Sequence, residues 1–148
     1  MNGDEALEQI YIALGDVVST VSPKEDKLIG QWMMDNLSIS FTRTISWGSV
    51  PKAKIIDTPI YETDRVRKAI DQFAQYLPIH DDEAVYVFWH NNRPALLMPF
   101  WACRHVLHLI TEVSLEVYML SIARGWFIQM HPFSDEIRGA HFVNPTLH

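Results

Sequence analysis

The chain has 148 residues, of which 48% are hydrophobic and 20% are charged, so we expect one globular domain spanning residues 1–148 and not a disordered chain. The formal net charge of −6 argues against a nucleic-acid partner, because binding the phosphate backbone requires clustered Lys and Arg. No stretch of about 18 apolar residues is present, and the acidic N-terminus does not resemble a secretory signal, so we expect no membrane partner and predict a cytoplasmic protein.

Two helices are predicted before residue 37. Residues 4–20 carry apolar side chains at the i, i+3, i+4, i+7 spacing of an amphipathic helix. The next helix is predicted to open at Ser22-Pro23, with Ser22 as the N-cap and Pro23 at the first helical position. Glu25 completes the pattern of a capping box, and the helix is expected to end near Asn36.

The segment from residue 37 to residue 78 is predicted to contain two strands and a third helix. Residues 37–47 alternate apolar and polar side chains, which is typical of a half-buried strand, and residues 54–57 are a candidate partner strand. The third helix is predicted to begin at Thr63, which has the residue type of an N-cap, and to be terminated by Pro78.

The stretch from residue 81 to residue 131 holds most of the predicted core. It contains two predicted hairpins, the second of which turns at Arg124-Gly125. The four strands are residues 83–90, 95–100, 116–123 and 126–131. Residues 101–111 change to a helical period between the hairpins, and a single long helix over residues 106–122 is the alternative interpretation.

A last short strand is expected at residues 140–143, within an otherwise irregular tail. Together these elements predict the α+β class: a single domain whose N-terminal helices pack on an antiparallel sheet of about five or six strands.

The strongest pattern for metal chemistry is His105, His108 and Glu112. On a continuous helix these residues are spaced i, i+3 and i+7 and project from one face, and two imidazoles with a carboxylate suit Zn²⁺. The alternative is that they form the polar face that any amphipathic helix must have. We favour the alternative, because such helical spacings are common by chance. The chain also lacks a Gly-rich phosphate loop, so we expect no cofactor.

Cys103 is the only cysteine and the only candidate for a thiol nucleophile. It lies at the start of the predicted helix, beside Arg104 and His105, where a thiol pKa is often lowered. A lone cysteine is more often a small buried hydrophobic residue, and we prefer that interpretation.

Two acidic clusters are the candidate interaction surface. Asp81, Asp82 and Glu83 precede the first core strand, and Asp135 and Glu136 follow the last. If those two strands are neighbours, all five carboxylates share one rim of the sheet and would attract a basic protein partner. The alternative is that acids at strand ends only keep the fold soluble and discourage edge pairing.

A small, acidic, aromatic-rich α+β domain with these acidic clusters and two core hairpins resembles the bacterial immunity proteins that neutralise secreted or contact-delivered toxins. The resemblance implies a protein that is not an enzyme and that binds a cognate toxin domain, which is basic where the toxin is a nuclease. A small metal-dependent hydrolase using the His105, His108 and Glu112 face is the second hypothesis. The third hypothesis is an adaptor domain that forms a homodimer through an exposed strand edge.

Overall fold

A computed structural model describes residues 1–37, 45, 47, 50, 53–58, 62–89, 93–114, 116–131 and 136–142. Within these ranges the chain forms five α-helices and seven β-strands. The helices are α1 (Gly3–Leu14), α2 (Pro23–Asn36), α3 (Thr63–Tyr76), α4 (Phe100–His105) and α5 (Leu107–Val113). The strands are β1 (Ser19–Thr20), β2 (Lys54–Asp57), β3 (Ala84–Trp89), β4 (Leu96–Pro99), β5 (Val117–Ser121), β6 (Trp126–His131) and β7 (Glu136–His141).

The seven strands form one antiparallel sheet with the order β1-β4-β3-β5-β6-β7-β2. The predicted α+β class is confirmed, with slightly more strands than expected. Strand β1 was not predicted, because a strand of two residues is too short to show the alternation of apolar and polar side chains. Strand β2 was predicted, and it pairs with β7; its predicted partner at residues 37–47 lies largely outside the described residues.

Helix α1 is shorter than the 4–20 helix that its apolar spacing predicted. It ends at Leu14 because Gly15 adopts a φ of 53°, in the left-handed region that favours glycine, and the Gly15 N–H caps the helix by donating to the carbonyl of Tyr11. A short 3-10 turn (Gly15–Val17) then leads into β1.

Helices α2 and α3 follow the sequence prediction closely. In α2 the Ser22 hydroxyl accepts from the backbone N–H of Glu25 at 3.2 Å, and the Glu25 carboxylate accepts in return from Ser22, so the predicted capping box is present. In α3 the N-cap position is Glu62, which makes no side-chain cap bond, and Thr63 is the first helical residue. The predicted Thr63 cap is therefore wrong by one position.

The predicted helix at residues 101–111 is two helices. Val106 has φ −106° and ψ 21°, outside the helical region, and it separates α4 from α5. The alternative of one helix over residues 106–122 is wrong, because β5 begins at Val117. None of the helices in the described part of the chain is long and apolar enough to cross a membrane.

Helices cover both faces of the sheet. Helices α1, α3, α4 and α5 pack on what we term the first face, where Val85, Val87 and Trp126 are fully or nearly fully buried. Helix α2 packs on the second face, where Phe127 and Leu120 belong to a separate core cluster. Strand β3 thus contributes to both cores, as its nearly continuous apolar sequence predicted.

The core on the second face contains a buried polar network. Trp47 donates through Nε1 to Oε1 of Gln129 at 2.6 Å, and Gln129 donates through Nε2 to Oε1 of Glu116 at 3.3 Å. Tyr118, next to Gln129 across the β5–β6 pair, donates its hydroxyl to the same Glu116 oxygen. Burial, with the Glu116 carboxylate as a further cause, raises the pKa of Tyr118.

Candidate functional site

The three residues of the predicted metal face do not share one helix. His105 is the last residue of α4, whereas His108 and Glu112 belong to α5, and the break at Val106 interrupts the continuous helix that the spacing required. All three side chains are exposed. Among the residues that the structure describes, no three His, Cys, Asp or Glu side chains are grouped so that they could hold a metal ion. The metal-dependent hydrolase stays a prediction.

Cys103 lies in the core on the first face and is only 1% exposed. Desolvation raises the pKa of its thiol, which keeps the sulfur protonated and a poor nucleophile. The interpretation of Cys103 as a small core hydrophobe fits this environment.

Glu83 and Glu136, one from each acidic cluster, lie at opposite ends of the sheet. Asp81, Asp82 and Glu83 precede β3 at the end where Ser121 pairs with Trp126. Glu136 pairs with His131 at the other end, and β5 separates β3 from β6. The strands are therefore not neighbours, and the shared rim that the sequence suggested is not formed. Asp135 lies outside the described residues.

Glu83 is a structural carboxylate. Its side chain is only 8% exposed and accepts hydrogen bonds from Ser121 Oγ at 2.7 Å, Trp126 Nε1 at 3.2 Å and the backbone N–H of His80 at 2.6 Å. The guanidinium of Arg124 lies 3.8 Å away. These contacts tie the start of β3 to the β5–β6 turn, so Asp81 and Asp82 are the acids of this cluster that are exposed to a partner.

A groove opens on the second face of the sheet, between α2 and the strands. It has a volume of about 380 Å³ and a predominantly apolar surface. The residues that line the groove are Leu28, Trp32, Ala84, Tyr86, Leu97, Ile122 and Ala123. This volume is within the range of pockets that bind small ligands, and it also accommodates one or two side chains of a protein partner.

Two of the elements that line the groove carry or follow acidic residues. On the helix side, the Glu25 carboxylate accepts from the Tyr86 hydroxyl at 3.2 Å; burial and this carboxylate raise the pKa of Tyr86. On the strand side, Asp81 and Asp82 precede the groove residue Ala84 in the chain. None of the lining residues is basic.

The basic groups near the groove are either paired or placed away from its lining. Arg124, which follows the lining residue Ala123, lies 3.8 Å from the carboxylate of Glu83. Helix α2 also carries Lys24 and Lys27, which are exposed and do not line the groove.

Trp32 forms part of the groove wall. It is buried, it packs edge-on against Phe142 with ring centroids 5.4 Å apart, and its Nε1 has no hydrogen-bond partner within the described part of the chain. Trp32 therefore contributes its ring to the groove wall and not an exposed donor.

The sequence predicted the elements that line the groove but not the groove itself. Leu28 and Trp32 fall within the predicted second helix, and Tyr86 within the predicted strand at residues 83–90. Periodicity gave no signal that these residues lie together, since the sequence does not specify which sheet face α2 covers.

The sequence matches no protein-family model and no curated protein. The geometry of the groove and the charges around it therefore carry the functional argument.

Proposed function

We propose that this chain is a non-catalytic immunity-type inhibitor that binds a basic toxin domain in the cytoplasm, and that the partner docks at the groove between α2 and the sheet. The single observation that carries the proposal is an open apolar groove whose lining residue Tyr86 donates to the Glu25 carboxylate, with the exposed Asp81 and Asp82 shortly before the lining residue Ala84 in the chain. Binding of this kind needs an anchor pocket and a complementary charge, and the groove provides both.

The proposed anchor is an arginine side chain of the partner, with its neighbouring backbone. Its aliphatic stem would lie on Leu97 and Ile122, and its guanidinium would pair with the Glu25 carboxylate beside Tyr86. Arginine is one of the residues most enriched at the centres of protein interfaces.

The acids outside the groove would act mainly on the rate of association. Asp81 and Asp82 are exposed, so their interaction with a partner is long-range and screened by salt. Rim charges of this kind change the association rate and its salt dependence more than they change the dissociation rate.

The first experiment measures association with a basic toxin domain encoded by a neighbouring gene. The variant Asp81→Lys/Asp82→Lys is compared with Glu8→Lys/Asp16→Lys, which changes the net charge equally at exposed positions of α1 and the following 3-10 turn. At low salt we expect a severalfold slower association for the first variant and a much smaller change for the second. Equal rates for the two variants would contradict the assignment of this surface.

The second experiment blocks the groove. Ala84 is exposed and lines it, so Ala84→Phe fills the space without disturbing the buried core, whereas Ala13→Phe places the same ring on the exposed side of α1. We expect Ala84→Phe to abolish both protection of toxin-expressing cells and binding of the purified toxin domain, with circular dichroism unchanged. If Ala84→Phe protects cells as well as Ala13→Phe does, the groove is not the docking site.

A further inference from the structure

A second cleft lies on the opposite side of the molecule from the groove, between α3 and α4, which pack on the first face. It has a volume of about 370 Å³ and is lined by Arg67 of α3 and by Trp101, Arg104 and His105 of α4. Three of these four side chains carry basic groups, although the chain as a whole has a net charge of −6. The cleft is therefore lined mainly by basic side chains, although the chain as a whole is acidic.

Trp101 gives the cleft a flat aromatic wall. It is 41% exposed, whereas the other four tryptophans, Trp32, Trp47, Trp89 and Trp126, are buried. Its backbone N–H donates to the carbonyl of Asp81 at 3.0 Å, which fixes the position of the first turn of α4. An exposed indole that is held in place is a ready platform for stacking against a planar ring.

Arg104 is a fixed part of the cleft. Its Nη2 contacts Asp71 Oδ1 at 2.8 Å, and its backbone carbonyl accepts from Arg67 Nη2 at 3.2 Å. Its Nε is buried and has no hydrogen-bond partner within the ranges that the structure describes. The guanidinium thus retains donor capacity while Asp71 holds its position.

Arg67 is the more available cation. Its Nη1 lies 3.5 Å from Oδ1 of Asp64, and the side chain of Asp64 is 97% exposed. A pair that is this exposed contributes little, so an anion in the cleft can take the place of Asp64 at small cost. His105, exposed at the end of α4, supplies a second donor at the same rim.

We propose that this cleft binds a small ligand made of a planar aromatic ring and an anionic group. The ring stacks on Trp101, and the anion bridges Arg67 and His105, while Arg104 and Asp71 keep the wall in place. A nucleoside monophosphate has this chemistry with phosphate as the anion, and an aromatic carboxylate has it with a carboxyl group.

The test is a titration of the full-length protein with adenosine monophosphate and, separately, with benzoate. A ligand stacked on the exposed Trp101 should quench part of the tryptophan fluorescence, above the signal of the four buried tryptophans, and calorimetry provides a reading independent of fluorescence. Saturable binding of either compound at low millimolar concentration is the expected result, and which compound binds distinguishes phosphate from carboxylate. Adenosine and inorganic phosphate alone should each bind at least tenfold more weakly than adenosine monophosphate if phosphate is the anion.

A matched pair of variants tests the role of the guanidinium. Arg67→Gln should weaken binding about tenfold or more, the usual effect of losing a hydrogen bond to a charged group. Arg65→Gln is the control, since Arg65 lies on the same helix, pairs with Glu62 at 2.7 Å and does not line the cleft. If Arg67→Gln has a changed circular dichroism spectrum, Trp101→Leu replaces it, with calorimetry as the readout and the same expected loss.

Three results would overturn the proposal. One is the absence of saturable binding of both compounds. Another is that the Arg67→Gln variant, or Trp101→Leu where it is used instead, binds the ligand as tightly as the Arg65→Gln control. The last is adenosine binding as tightly as adenosine monophosphate, with benzoate not binding, because stacking alone would then explain the signal.

Discussion

Replacing Glu83 with alanine should destabilise the fold, although the sequence placed Glu83 in a surface cluster. The variant removes the acceptor of two buried donors, Ser121 Oγ and Trp126 Nε1. Each buried donor left without an acceptor costs about 1–3 kcal/mol, so the loss for the two donors is about 2–6 kcal/mol. The backbone N–H of the exposed His80 can bind water instead, and the partly exposed Arg124 contact adds little.

Urea unfolding followed by far-ultraviolet circular dichroism measures this loss directly. We expect a lower midpoint with an unchanged slope, since the buried surface stays the same. For a domain of this size the corresponding fall in Tm is about 5–15 °C. Glu83→Gln keeps one oxygen acceptor and should lie between the wild type and Glu83→Ala.

Asp82→Ala is the control, because Asp82 is the exposed neighbour of Glu83 and surface changes usually stay within about 0.5 kcal/mol. Equal unfolding midpoints for Glu83→Ala and Asp82→Ala would refute the assignment of Glu83 as a structural carboxylate. Glu83 would then return to the candidate partner-binding acids.

Three further predictions concern single residues. Gly139→Ala should lower the free energy of unfolding in urea by about 1–3 kcal/mol, because the new Cβ would lie 2.8 Å from a ring carbon of Phe73. Gly30→Ala, at an exposed position of α2 with nothing within 4 Å of the new Cβ, should raise it by about 0.5–1 kcal/mol. A loss of stability for both variants would contradict this packing. Gly15→Ala should cost about 1–3 kcal/mol in the same assay, owing to the φ of 53°, and an unchanged midpoint would contradict that backbone. Because burial raises its thiol pKa, Cys103 should resist a thiol reagent at pH 8 in the native protein and react after unfolding; rapid native labelling would show that it is accessible.

Local sequence signals predicted the elements of this fold well. The Ser22–Glu25 capping box and the turn at Gly125, whose φ is 72°, depend on a few adjacent residues, so the sequence alone specifies them. The break at Val106 was missed because the apolar period continues through it, and neither glycine nor proline marks the position.

The candidate site was harder to predict, since it depends on the order of the strands. The expectation that five carboxylates share a rim required β3 and β6 to be neighbours, and no local pattern states that β5 lies between them. The sequence likewise could not separate Glu83 from Asp82, because the partners that bury Glu83 are 38 and 43 residues away in the chain. Long-range pairing decides both questions, and periodicity does not report it.

The hydrogen bonds of the buried Gln129 favour one register of β6 against β5 over the alternatives. A slip of two residues keeps every side chain on its own face of the sheet, so apolar packing alone opposes it only weakly. In this chain such a slip would bring Phe127 into the place of Gln129 and leave Trp47 Nε1 without its acceptor. One amide in an apolar layer thus selects a single register for the central hairpin, and that register also places Ser121 and Trp126 where Glu83 can bind both.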